Sequence, residues 1–150
     1  MHIKLSDSPI LRPIPDWNNQ DWVVVGNWEY ILPEGVTVII PSGFVTDLVS
    51  IPRRLWSFIS PFGSLLFSGI IHDFGYRYGY LWAINTHGEL YKHGLNMPKD
   101  YWDDMFLRIA NQTNHSPVFN QFATSFLTLF GSSSWNKYRD HPQPELNIYL

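Results

Sequence analysis

The first dense apolar run of the chain is WVVVGNWEYIL, residues 22–32, whose interior Gly26-Asn27 predicts a strand that turns or bulges midway. Pro33-Glu34-Gly35 has turn chemistry, and VTVII at residues 36–40 is the next strand. Pro41-Ser42-Gly43 then leads through a second turn into the short extended piece Phe44-Val45-Thr46. Beyond this point the period changes. Ser50-Ile51-Pro52 starts a short helix over RRLWSFI, which Ser60-Pro61-Phe62-Gly63 ends. Residues 64–78, SLLFSGIIHDFGYRY, are apolar nearly all round, as befits a helix packed on several sides. Residues 79–97 mix Gly, Asn, His and Lys and read as a connection, with a turn of helix around residues 89–93, that would form a rim or lid. Pro98 opens a helix in which Trp102, Met105, Phe106 and Ile109 recur on one face. A further helix over about residues 117–130 ends at Gly131, for which a left-handed cap is expected.

These elements predict an α+β fold in a single domain spanning residues 1–150. A small N-terminal antiparallel sheet of hairpins, about residues 1–47, precedes a bundle of three to four helices over about residues 50–131. The tail from Ser132, with Pro142 and Pro144, reads as loosely packed. A chain of 150 residues can hide roughly 70% of its unfolded surface, enough for a real core. Apolar residues at 45% against 15% charged residues exclude a disordered chain. A net charge of −3 and a pI near 6.0 leave no basic footprint for duplex nucleic acid. The absence of cysteine removes disulfides, thiolate metal sites and cysteine nucleophiles. No apolar stretch approaches the ~20 residues of a membrane span and the N-terminus lacks a signal-peptide core, so a cytoplasmic protein is expected.

The candidate chemistry lies in polar residues set within this apolar framework. His72 and Asp73 sit in the middle of the apolar helix, where a carboxylate is costly unless paired, hydrogen-bonded or bound to a metal. Tyr76, four residues on, shares the face of His72 and can join its network. A buried cluster that merely fixes helix packing explains the pair as well as a functional site does. Asp103, beside the stripe of Trp102, Met105 and Phe106, is placed to look inward, whereas Asp104 suits solvent and the helix dipole. Antiparallel packing of the two helices would bring Asp103 to His72 and Asp73. Asp47 lies in FVTDLVSIP, between sheet and first helix, where Ser50 is also well placed as a helix N-cap. Arg53 and Arg54, just inside that helix, could hold an anion together with free backbone N–H groups. His87 and His93 are too far apart for a helical metal pair and are expected to be solvated. No glycine-rich phosphate loop, Gly-x-Ser-x-Gly elbow or His-Glu-x-x-His motif is present.

The succession PSGFVTDLVSIPRRLW, IIHDFGYRYG, a helix with WDDMF, and a helix ending LFG before a tryptophan resembles the bacteriophage and prophage family known as domain of unknown function 1353. The match covers about residues 41–135. That family's pattern has an F-x-T-D-x-A-S-I-P stretch, an H-D-x-x-Y helix and a later A-D-x-x-F helix. The resemblance picks out Asp47, Ser50, Pro52, His72, Asp73 and Asp103, the last with Phe106 three places later. Val49 and Trp102 stand where alanine is usual, and residues 79–97 are longer than in the compact members. The resemblance implies a small phage or prophage protein and no established activity. A weaker similarity, of geometry alone, is to secreted phospholipase A2, in which a helical His-Asp with a tyrosine beyond faces an aspartate on an antiparallel helix. His72, Asp73, Tyr76 and Asp103 can be laid on that scheme, although its disulfides and calcium loop have no counterpart here.

The leading expectation is a metal-assisted hydrolase. Asp47, Asp73 and Asp103 would hold a divalent cation, with manganese, magnesium or calcium suiting the carboxylates. His72, Asp73 and Asp103 would form the catalytic set, His72 acting as general base on a water. Ser50, Arg53, Arg54, Tyr76, Tyr78 and Trp82 would bind a small anionic substrate such as a phosphodiester or nucleotide. The alternative is a protein without turnover, an anti-defence sponge that stacks a host signalling nucleotide on Trp56, Tyr78, Tyr80 and Trp82. A third expectation is a virion structural or assembly protein, its aromatic surplus serving a homo-oligomer or protein partner.

Overall fold

A computed structural model of the chain describes residues 8–15, 21–46 and 65–150. The elements run β1 (Leu11–Pro13), β2 (Trp22–Val24), β3 (Trp28–Ile31), β4 (Thr37–Ile40), β5 (Val45–Thr46), α1 (Leu66–Tyr78), β6 (Leu81–Ile84), β7 (Leu90–His93), α2 (Lys99–Thr113), α3 (Pro117–Phe130) and α4 (Ser132–Asp140). The architecture is α+β, with two small antiparallel sheets ordered β1-β2-β5 and β3-β4-β6-β7. The expected helix over RRLWSFI lies outside the described residues.

The run at residues 22–32 divides where its glycine predicts. Gly26, with φ +76°, lets the chain leave one sheet after β2 and enter the other at β3. Asn27 fixes the corner by accepting the Ser42 backbone N–H at 3.0 Å. Along β3 the side chains alternate, Trp28 and Tyr30 inward and Glu29 and Ile31 outward. In β4, Val38, Ile39 and Ile40 are all fully buried, because the strand is central and covered on both faces.

The larger sheet is not wholly N-terminal, and residues 79–97 are not a connection. They form the β6–β7 hairpin, and β6 pairs with β4 in the register Val38↔Ala83 and Ile39↔Trp82. The turn is held by Asn85, whose side-chain oxygen accepts the backbone N–H groups of His87 and Glu89, both at 2.9 Å. The expected helical turn at residues 89–93 is therefore strand β7. His93 is not simply solvated, since its Nε2 meets the Tyr101 hydroxyl at 3.1 Å and Glu34 at 3.6 Å.

Residues beyond 131 also differ from expectation. Gly131 is right-handed, with φ −79° and ψ −11°, and the chain turns straight into α4. A Cβ there would stand 2.9 Å from the Tyr76 hydroxyl and 2.5 Å from the Leu127 carbonyl oxygen, so glycine serves close approach rather than a left-handed cap. The tail is anchored, not loose. Trp135 packs edge-on against Tyr76 at 5.3 Å, and the Tyr80 hydroxyl donates to Glu145 at 2.9 Å. Trp82 Nε1 donates to the Leu146 carbonyl at 2.9 Å, and Asn27 donates to the Tyr149 carbonyl at 3.0 Å.

The main core lies between the sheets and α1, with Ile70, Ile71 and Phe74 of α1 meeting Val38, Ile40, Phe44 and Leu81. Trp102, Met105 and Ile109 of α2 close it from the other side. A second cluster of Leu65, Phe106, Ala110 and Ala123 joins α2 to α3.

Candidate functional site

The geometry of the site follows from how closely α1 and α2 approach. Gly75 presents no side chain to α2, and the fully buried indole of Trp102 lies directly on it. A Cβ on Gly75 would fall 2.4 Å from Trp102 Cε3, which shows how little space separates helix and ring. Trp102 is thus matched by a glycine one helical turn past His72. Contacts run antiparallel: His72 faces Phe106 and Asp103, while Tyr76 faces Asp103 and Lys99.

Asp103, 3% exposed, is the hub of the polar cluster. Its Oδ1 accepts from His72 Nε2 at 2.8 Å and from the Tyr76 hydroxyl at 2.5 Å. Its Oδ2 accepts from Lys99 Nζ at 2.6 Å, and the Thr128 hydroxyl of α3 stands 3.5 Å away. Burial alone would raise the Asp103 pKa, but the hydrogen bonds from His72, Lys99 and Tyr76 outweigh it and hold the carboxyl below its ordinary value. The Tyr76 hydroxyl moves the other way, raised by burial and by its bond to that carboxylate. An ionised carboxylate can only accept, so the His72 proton sits on Nε2 and a neutral ring keeps its lone pair on Nδ1.

Asp73 faces elsewhere, because adjacent helical residues point about 100° apart. Its Oδ2 accepts from the Thr46 hydroxyl at 2.9 Å, and its Oδ1 pairs with Arg77 Nε at 3.3 Å. Burial lowers the pKa of that guanidinium, but Asp73 together with the hydroxyls of Tyr138 and Tyr78 more than restores it, leaving it raised. Arg77 in turn covers the rings of Phe44 and Tyr138. The expected convergence of His72, Asp73 and Asp103 on one centre is not found, and among the described residues no three His, Asp or Glu side chains gather at metal-binding distance. Asp47, Ser50, Arg53, Arg54 and Trp56 lie outside the described residues.

Of the remaining candidates, Tyr76 is buried in the cluster and its hydroxyl is spent on Asp103. Tyr78 packs on Phe74 at 4.6 Å between ring centres. Trp82 stacks edge-on against Tyr80, and both rings lie under the Lys92 ammonium and the C-terminal segment. Asp104 is exposed and pairs with Arg108 four residues on, one turn inside α2. Two members of the cluster were not singled out from the sequence. Lys99 stands four residues before Asp103, the spacing of a helical ion pair, and that signal was available. Thr128 comes from α3, and nothing in its local sequence points to α2.

The chain belongs to the family described as protein of unknown function (DUF1353), whose model matches residues 22–123. The matched span holds β2 to α2 and part of α3, and with them His72, Tyr76, Lys99 and Asp103. Neither the curated proteins nor the solved structures hold a significant match. Among the described residues no helix is long and apolar enough to cross a membrane.

Proposed function

We propose that this protein is a phage-encoded accessory hydrolase of the host cytoplasm, in which His72, oriented by Asp103, is the general base. The observation that carries the reading is the bond from His72 Nε2 to a buried, ionised Asp103. Such a carboxylate fixes the imidazole tautomer and stabilises the imidazolium that forms when Nδ1 takes a proton. His72 keeps 8% of its surface exposed, and the reading requires that a water reach Nδ1 there. The water oxygen would attack a phosphodiester phosphorus as its proton passes to Nδ1, and the imidazolium would return that proton to the leaving alkoxide. Lys99 and Tyr76 hold Asp103 in place from the far side.

The substrate class, a small phosphodiester or nucleotide-like anion, rests on Arg53 and Arg54, with Ser50, in the sequence alone. A divalent cation, manganese, magnesium or calcium, belongs to the same proposal and would use Asp73 with Asp47. Asp103 orients His72 in this reading instead of binding the cation, since protein donors already engage both its oxygens. At Asp73 the cation would compete with Arg77. Sequestration of a nucleotide on Tyr80 and Trp82 is less favoured, because Lys92, Glu145 and Leu146 occupy those rings. An assembly role is the second reading, favoured by the exposed apolar side of α3.

The test is hydrolysis of bis(4-nitrophenyl) phosphate and of linear and cyclic dinucleotides, with manganese, magnesium or calcium and with chelator. His72→Gln should lower the rate by about 10²- to 10⁴-fold while leaving the melting temperature near that of the wild type. Intact nucleotide recovered from the heat-denatured protein, or a rate indifferent to His72→Gln, would overturn the proposal.

A further inference from the structure

A cleft of about 290 Å³ opens at the C-terminal end of α1, away from the His72 cluster. Its walls are the tyrosines that follow that end, Tyr78 and Tyr80, and the Tyr138–Arg139 pair of α4. The loop between β7 and α2 supplies a rim. Gly94 and Asn96, at φ +74° and +64°, turn the chain there, and Leu95 and Met97 line the cleft while staying 53% and 42% exposed. Phenol rings on one side and exposed aliphatic side chains on the other suit a flat apolar body.

The charges at the cleft select what that body must carry. Arg77, Arg139 and Glu145 line it. Two of these are compensated within the protein: Arg77 by Asp73 at 3.3 Å, and Glu145 by Lys92 at 2.5 Å and the Tyr80 hydroxyl at 2.9 Å. Arg139 has no carboxylate partner among the described residues. Its Nη2 donates to the carbonyl oxygens of Tyr76 and Arg77 in the last turn of α1, and its guanidinium lies over the Trp135 ring at 4.1 Å. These contacts hold the group in one orientation, but they bring it dipoles and a π face in place of a counter-charge. Its pKa is accordingly lowered by burial with no anion to oppose the shift. Nη1 lies 3.1 Å from where a Cβ of Gly79 would stand, and Gly79 itself lines the cleft, so the missing side chain leaves room at this nitrogen.

One unbalanced positive charge calls for one negative charge. A phosphate monoester carries close to two at neutral pH and would leave one of them facing Glu145. A carboxylate carries one and makes a charge-assisted hydrogen bond with a planar guanidinium. At about 30 Å³ per water the cleft has the room of about ten waters, which limits the ligand to about ten non-hydrogen atoms. We propose that this cleft binds a small aromatic carboxylic acid as its monoanion, with the carboxylate on Arg139 and the ring between the tyrosine wall and Leu95 and Met97. The inference does not rest on the hydrolase reading, in which Arg139 and Met97 have no part, and its measurement is binding and not turnover.

The probe is 4-hydroxybenzoate, titrated into the isotope-labelled full chain and followed by nuclear magnetic resonance. The amide signals of Gly79, Asn96 and Met97 should shift saturably with a Kd of about 0.1–1 mM, in keeping with a ligand of about ten atoms. 4-Hydroxybenzamide, which has the same shape and no charge, should bind at least about tenfold more weakly, and so should inorganic phosphate. Arg139→Gln should weaken binding by the same factor or more. Because Arg139 also caps α1, the exposed Met97 gives a second measurement in a folded protein: Met97→Glu should weaken binding at least about tenfold, and Met97→Lys should preserve or tighten it. Absence of a saturable shift up to about 10 mM overturns the proposal. Equal binding of the amide, tighter binding of phosphate, or an affinity indifferent to Met97→Glu or to a folded Arg139→Gln overturns it as well.

Discussion

Replacing Gly75 by alanine should destabilise the protein even though alanine is the better helix former. The substitution lies in the interior of α1, where alanine is favoured over glycine by about 1 kcal/mol. Against this, the new Cβ would meet Trp102 Cε3 at 2.4 Å, Cδ2 at 2.7 Å and Cζ3 at 2.8 Å. Carbon atoms in contact prefer about 3.5–4.0 Å, so a rigid ring with no exposed surface must retreat by about 1 Å. Overpacking of this kind costs about 1–3 kcal/mol or more, and here three ring atoms of a fully buried indole are overlapped at once, which points to the upper end. The net expectation is a loss of about 2 kcal/mol, or a fall of about 4–8 °C in melting temperature for a chain of this length.

The cause is isolated by a second background. Trp102→Ala should itself cost about 3–5 kcal/mol, and with the ring gone Gly75→Ala should become favourable by up to about 1 kcal/mol. Urea unfolding at 25 °C, followed by far-ultraviolet circular dichroism, measures all four corners of the cycle. A change of sign between the two backgrounds is the expected outcome. If Gly75→Ala is neutral or stabilising in the wild-type background, α1 and α2 are not held apart by this ring alone, and the account of how His72 reaches Asp103 fails with it.

Asp103→Asn should cost about 3 kcal/mol near neutral pH, because Lys99, Tyr76 and His72 lose a shared charged acceptor in a buried place. Its folded pKa lies below the ordinary value of 3.8, so the stability it contributes is complete above that value and is lost as pH falls through the depressed folded one. Calorimetric melting temperatures between pH about 4 and 2 should therefore fall less steeply in Asp103→Asn than in the wild type, and parallel curves would refute the assignment. Truncation after Pro144 removes the acceptors of Tyr80 and Trp82 and the packing of Leu146. It should red-shift tryptophan emission and cost about 1–3 kcal/mol, whereas an unchanged spectrum would mean that the tail does not cover Trp82.

What could be read from the sequence here was whatever a repeating side-chain pattern encodes. The stripe of α2, the two-sided burial of α1, the inward turn of Asp103 and the pairing of Tyr76 with His72 all follow from helical spacing. The β6–β7 hairpin is masked by polar residues that also suit a loop, although Leu81 and Ala83 alternate with Trp82 and Ile84 as a strand should. The anchoring of the tail is hidden in the sequence, since two of its contacts run to the backbone carbonyls of Leu146 and Tyr149, which no side-chain pattern reports, and the other two pair Trp135 and Glu145 with residues far away in the chain. The error at the site has a plainer physical origin. His72 and Asp73 read as one unit because they are adjacent, yet adjacency on a helix separates side chains by about 100°. Antiparallel contact therefore lets α2 take only one of them, and it takes His72. Asp73 is left to β5 and Arg77, so the chemistry available at Asp103 is that of an oriented imidazole, and any cation chemistry has to be sought on the Asp73 side of α1.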